Sequence, residues 1–341
     1  MKKATFILIF FSIFTTGFSQ KIKTNFEILQ IMTNSKLTYE INIFAKTIEC
    51  KDYSDRLNYH NFYNVSTDSG VYAYEIVVSE KAKPFFDKAE FYFERKEMDS
   101  ALYFYKLTIE QDSALYYVMT YIGQLYGAKG DFATAEKWYK KVIEKNYIDY
   151  MAHWLLADIY LATNKINEAV DEITIARILN RNNPRIKKYM VDIFTKADRD
   201  TLDWCFSPQV EFKKIAENKI SVGITSDGVN QNWIGYAMAK ALWAYEPGYS
   251  ESMGVPHGDY STIEDKECLI ALLTALKNAK IKIKNEPQLS ILKEAFENKQ
   301  IDEYIMYEIV LPQNPIVAYQ LTVQSILKIK DYILNFRNPE L

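Results

Sequence analysis

Histidine and cysteine are scarce in this chain, with three of each among 341 residues. His60, His153 and His257 stand far apart, and Cys50, Cys205 and Cys268 form no C-x-x-C pair. That spacing argues against a structural zinc site or a thiol-redox motif. No metal and no cofactor is expected. The chain also lacks H-E-x-x-H, G-x-S-x-G, P-loop and dinucleotide fingerprints, so the familiar hydrolase and nucleotide-binding signatures are missing. Glu303 and Glu308 are five apart on one predicted helix, which does not set two carboxylates side by side. No catalytic residue is assigned. Charge of one sign is not in excess either: 41 basic residues face 44 acidic ones, for a net charge of −3. That balance gives no electrostatic case for nucleic acid or an anionic membrane. Beyond the N-terminus no run of ~18 apolar residues occurs, so no transmembrane segment is expected in the mature chain.

What is present is ordinary globular material: 48% hydrophobic residues and 15% aromatic, including 26 Tyr. The length suffices for two domains with a sizeable core. The N-terminus has the layout of a secretory signal peptide over residues 1–19. Lys2 and Lys3 form a positive start, Ala4 to Thr16 is apolar, and Gly17 and Ser19 are small residues before a cut at Gln20. No Cys follows closely, so a lipoprotein anchor is not expected. The chain is read as exported, periplasmic or secreted. In an oxidising compartment one disulfide is possible, and spacing does not choose the pair. Cys268, inside the apolar run ECLIALLTAL, is expected as a buried free thiol.

Three residue triplets recur at one interval. Ala89, Gly123 and Ala157 are 34 apart, as are Tyr92, Tyr126 and Tyr160, and Ala101, Ala135 and Ala169. The small residues allow two helices of a hairpin to approach, and the Tyr fills the space beside them. Over residues 80–184 the chain resembles the tetratricopeptide-repeat family in these positions. Lys88 and His153 depart from its usual residues, and Pro184 falls slightly late. The resemblance implies three helix–turn–helix units stacked into a solenoid, with turns at Lys96-Glu97, Gly130-Asp131 and Asn164-Lys165. Such arrays bind partners on a concave face and need capped ends. Arg185 to Asp198 is read as a final helix.

The remaining parts are assigned by pattern. Residues 20–79 form an entry segment with a short helix at Phe26–Met32 and a candidate strand at Leu37–Ile43. Tyr53 to Gly70 is read as a polar loop, which holds the glycosylation-type tripeptide Asn64-Val65-Ser66. Residues 185–341 are read as an α-helical C-terminal domain. The expected class is therefore all-α, a helical-hairpin solenoid followed by a helical domain.

The resemblance also supplies a candidate site. The family's inward positions fall on Lys83, Phe86, Glu90 and Phe93, then Tyr117, Thr120 and Gln124, then Met151, Trp154, Asp158 and Leu161. This set is aromatic and mildly acidic. It lacks the Lys/Asn/Arg pattern that clamps a terminal carboxylate, so a protein or peptide with apolar anchors is the expected ligand. A second candidate is the Gly/Pro-rich stretch with His257 and Asp259. The favoured reading is a binding or scaffold module in a bacterial envelope assembly. The alternative is a hydrolase or carbohydrate-active protein with its site in the C-terminal helices.

Overall fold

The structure, a computed structural model, describes residues 22–44, 47–58, 61–225, 233–280, 283 and 286–341. The expected signal segment and His60 lie outside the described residues. The chain divides into two compact units. One combines Met1–Lys51 with Trp204–Ile305, and the other combines Asp52–Asp203 with Met306–Leu341.

The second unit holds the repeats. Helices α2 (Lys83–Glu94) and α3 (Met98–Gln111), α4 (Tyr116–Ala128) and α5 (Phe132–Lys145), and α6 (Tyr150–Ala162) and α7 (Ile166–Leu179) form three hairpins. Ala89, Gly123 and Ala157 are all buried, as are Ala101, Ala135 and Ala169. Each first helix ends in a left-handed residue: Lys96 (φ 60°), Gly130 (φ 78°) and Asn164 (φ 60°). Each end is closed by one backbone bond to the recurrent Tyr: Glu97 N–H to Tyr92 O (2.9 Å), Asp131 to Tyr126 (3.0 Å) and Lys165 to Tyr160 (2.8 Å). These bonds satisfy helix-end carbonyls that would otherwise have no partner.

The same device occurs a fourth time. Asp198 has φ 50°, and Arg199 N–H donates to Phe194 O at 2.9 Å. Helix α8 (Pro184–Lys196) is therefore the first helix of a fourth unit. Phe194 in place of Tyr and Val191 in place of a small residue hide it in the sequence. No second helix follows. Instead Asp200 N–H bonds Pro339 O (2.8 Å) and Leu341 N–H bonds Asp198 O (2.9 Å).

The rest of the C-terminal stretch packs back on the same unit. A π-helical turn (Ile305–Val310) leads through α14 (Leu311–Gln313) and a 3-10 turn (Pro315–Gln320) to α15 (Val323–Tyr332), which packs on α7. A solenoid end is apolar and requires such a cover. The expected helical domain at 185–341 is thus corrected. Its residues are shared between both units, because Met306–Leu341 buries its apolar face against the repeat unit.

The stretch read as a loop at Tyr53–Gly70 is corrected as well. It contains β2 (Phe62–Thr67), which pairs antiparallel with β3 (Gly70–Glu75) around Asp68-Ser69. Polar residues at alternate positions of this half-exposed hairpin disguised it as loop. Asn64 lies on β2, and its side-chain amide donates to Tyr319 O (3.0 Å) and Leu321 O (2.9 Å).

The first unit corrects the all-α class. The fold is mostly helical, but β1 (Thr38–Phe44), β4 (Val210–Ala216) and β5 (Lys219–Thr225) form a sheet in the order β1-β5-β4. β1 runs parallel to the central β5, and β4 runs antiparallel to it. Buried Ile220, Val222 and Ile224 recur every second residue, as a covered strand requires. Helix α9 (Ile234–Tyr245) packs on β5, and α1 (Asn25–Asn34) and α11 (Thr262–Asn278) pack on α9. The short α10 (Tyr249–Ser252), α12 (Pro287–Glu297) and α13 (Ile301–Tyr304) complete the unit. Cys50 and Cys205 are joined in a disulfide, and Cys268 is free and buried.

Gly123 shows how tightly the second hairpin is closed. A Cβ on it would lie 2.6 Å from the Tyr139 ring. Gly123→Leu is expected to cost about 1–3 kcal/mol through overpacking, net of a gain in helix propensity. Thermal unfolding checks this, and an unchanged midpoint would refute the close approach.

Candidate functional site

A cavity of about 350 Å³ opens on the first-helix face of the repeat unit. Three hairpins and α8 build it. From α2 come Glu90 and Phe93, from α3 Tyr105, from α4 Tyr121 and Gln124, from α6 Met151, Trp154 and Leu155, and from α8 Arg185. Stacking at a 34-residue register explains this convergence: side chains at equivalent positions of successive units line one face.

The eleven expected residues separate on inspection. Glu90, Phe93, Gln124, Met151 and Trp154 line the cavity together. Tyr117 and Thr120 are buried, with Thr120 Oγ1 donating to Asp149 Oδ2 at 3.3 Å. Tyr117 packs against Tyr121 of the lining, and neither Tyr117 nor Thr120 is part of it. Phe86 is half-buried against Tyr105 and Tyr117. Lys83 is exposed and pairs with Asp87 at 3.0 Å. Asp158 and Leu161 are half-buried and lie outside the cavity lining.

Sequence reasoning missed Tyr105, Tyr121, Leu155 and Arg185. Tyr105 stands on a second helix, where no inward residue was expected. Its position matches that of Tyr139, the residue that meets Gly123, and this register was available as a signal. Arg185 follows from the unrecognised fourth unit.

The cavity wall is aromatic. Tyr105–Tyr121 and Tyr117–Tyr121 ring centroids are each 5.7 Å apart, and Phe93–Tyr105 are 6.4 Å apart. Trp154 meets Tyr189 edge-on at 5.6 Å. Such tilted and T-shaped pairs hold rings in place for contact with a ligand. Tyr105 donates its hydroxyl to Glu90 at 2.5 Å. Burial, and then Glu90, push the Tyr105 phenol far above its usual range. Burial pushes Tyr121 up to about 12, with Glu90 and Asp149 adding to it. These phenols therefore remain protonated hydrogen-bond donors at any physiological pH. Burial also raises the Asp158 carboxyl.

The other candidate stretch differs. His257 and Asp259 are exposed and do not line the repeat cavity. No set of three or more His, Cys, Asp or Glu among the described residues is placed to hold a metal ion. No helix among them is long and apolar enough to cross a membrane.

No protein-family model matches the chain, and no curated protein matches it. Solved structures do show a likeness. The Arabidopsis OM64 TPR domain is 16% identical at a TM-score of 0.33, covering 34% of this chain and 97% of that one. The first TPR of Spaghetti (RPAP3), solved bound to the HSP90 peptide SRMEEVD, is 22% identical at a TM-score of 0.34, covering 36% and 96%. A tetratricopeptide repeat protein from Parabacteroides merdae is 10% identical at a TM-score of 0.27, covering 75% and 100%. At these scores the likeness carries no argument of its own, and the repeat assignment stands on the hairpins and helix ends of this chain: residues 83–179 are three helical hairpins on a 34-residue register, and α8 opens a fourth.

Proposed function

We propose that the cavity face of the repeats binds a peptide segment of a partner protein through one or two apolar side chains. The observation that carries this reading is the cavity itself. About 350 Å³ is lined by Phe93, Tyr105, Tyr121 and Trp154, with only Glu90 and Arg185 as charged groups. That volume lies within the range of ligand pockets, and rigid aromatics with few charges suit an apolar anchor. Glu90 and Arg185 lie on different helices and give a bound peptide polarity: a basic residue is favoured near the first, an acidic one near the second.

Trp154→Ala is expected to weaken peptide affinity by about 2 kcal/mol, as removal of a central aromatic does. The check is an arrayed peptide panel read with the wild-type chain and with a variant whose circular dichroism is unchanged. Equal binding of every captured peptide by the folded variant would refute the groove as the binding surface.

The same reading places the protein in a bacterial envelope assembly after export through Met1–Ser19. Support comes from the disulfide between Cys50 and Cys205, which suits an oxidising compartment. Mass analysis of the native protein is expected to find Gln20 at its N-terminus. An intact Met1 would end the export reading.

A further inference from the structure

A second, smaller cavity of about 40 Å³ lies at the closed end of the repeats, away from the groove lining. Its walls come from the end of α7, from α8, from residues 201–203 and from the returning C-terminal stretch. It exists because Met306–Leu341 comes back to cover the array.

Its chemistry is cationic. Arg177, Arg181 and Arg337 line it at 5%, 8% and 4% exposure, and Lys187 stands at the rim. Among the described residues, Glu308 and Asp203 pair with cations of this group. Glu308 pairs with Arg337 (Nε to Oε1, 3.0 Å) and with Arg181 (Nη2 to Oε2, 3.4 Å). Asp203 is exposed at the rim, takes the Lys187 ammonium at 2.5 Å and stays 3.9 Å from Arg337 Nη2. Arg177 is left without an ion pair among the described residues. Its Nη1 donates to Asn183 O at 3.3 Å, which uses one of five guanidinium donors. Burial, and then the neighbouring Arg181 with Arg337 behind it, lower the Arg177 guanidinium from its usual range. Buried charge without a counter-charge is costly, and a bound anion removes the cost.

We propose that this pocket binds a small oxyanion, with the Arg177 guanidinium as its principal donor and Arg337 and Lys187 beside it. The size agrees. One water needs roughly 10–15 Å³ of such space, so 40 Å³ suits a carboxylate, phosphate or sulfate group and excludes a nucleotide. Guanidinium groups match these anions in geometry, bonding them through two parallel N–H donors. Met190 and Phe194, both buried, form an apolar wall beside these groups. A free ion and the end group of a larger ligand present the same chemistry. The proposal does not depend on the groove reading.

The test is calorimetric titration of the full chain with inorganic phosphate, sulfate and acetate at fixed ionic strength, with chloride as the comparator. Saturable one-to-one binding of at least one of the three is expected. Arg177→Met should weaken it at least tenfold, the loss expected for one charge-assisted bond. Asp203→Asn removes the competing carboxylate at the rim and should tighten it several-fold. If Arg177→Met fails to fold, Lys187→Gln replaces it, with a weakening of threefold or more expected. Methyl phosphate binding more tightly than phosphate would identify an end group, and the reverse a free ion; both support the site. Heat indistinguishable from chloride for all three anions overturns the proposal. So does unchanged affinity in the folded charge-removal variant, or weaker binding in Asp203→Asn.

Discussion

Replacing both Cys50 and Cys205 by Ser is expected to lower the stability of the chain by about 3–5 kcal/mol, the upper part of the range for a native disulfide. The bond joins positions 155 apart in sequence with their Cα atoms 6.0 Å from each other. In the unfolded chain it forbids every conformation in which those ends separate, and that restriction grows slowly with loop length. The closed loop contains the whole of Asp52–Asp203, so the bond acts most strongly when both units unfold together. Cys50 and Cys205 also flank the two points where the chain leaves one unit and re-enters it. Guanidinium unfolding of the oxidised wild type against the double Ser variant reads the effect. Equal midpoints and slopes would show that the bond does not constrain the unfolded chain.

Glu308→Ala should cost about 3–5 kcal/mol, the loss seen when one partner of a buried ion pair is removed. Glu308 is 4% exposed. It accepts from Tyr332 Oη at 3.0 Å and pairs with Arg337 at 3.0 Å and Arg181 at 3.4 Å. Without it, two buried guanidinium groups and Arg177 face one another beside the exposed Asp203. Burial leaves them little water to take over, so repulsion and desolvation act together. Glu308→Gln keeps the shape and part of the hydrogen bonding, and its cost should be smaller. Urea unfolding of both variants checks the order. A loss under 1 kcal/mol in Glu308→Ala would mean the arginines separate into solvent when the acid goes.

The repeats were legible because their cause is local. A small residue, a Tyr and an Ala recur where two neighbouring helices touch, and 34 residues separate each set. The fourth unit escaped because Val191 and Phe194 replace the marker residues, while its left-handed Asp198 gives no sign of its conformation. Of the sheet, β1 was legible as the candidate strand at Leu37–Ile43, and its partners escaped for another reason. β1 and β5 pair although all the repeats lie between them in sequence, and Lys213 and Lys214 break the apolar pattern of β4. Of the groove, the residues that first helices turn toward the cavity were readable at Glu90, Phe93, Gln124, Met151 and Trp154. Tyr117 and Thr120 carry the same periodicity but are covered, and cover is a property of neighbours. Arg177, Arg181 and Arg337 were invisible as a group, since nothing in the sequence says that the C-terminal stretch returns to α7 and α8.

That return imposes an order on synthesis. The repeats through Asp203 are made first, then all of Trp204–Ile305, and only then the stretch that covers the end of α8. At 5–20 residues per second the array waits roughly 5–20 s with its last apolar face open. During that interval another molecule can occupy the uncovered end, whether a holding chaperone or a second nascent copy. The final stretch must then displace it.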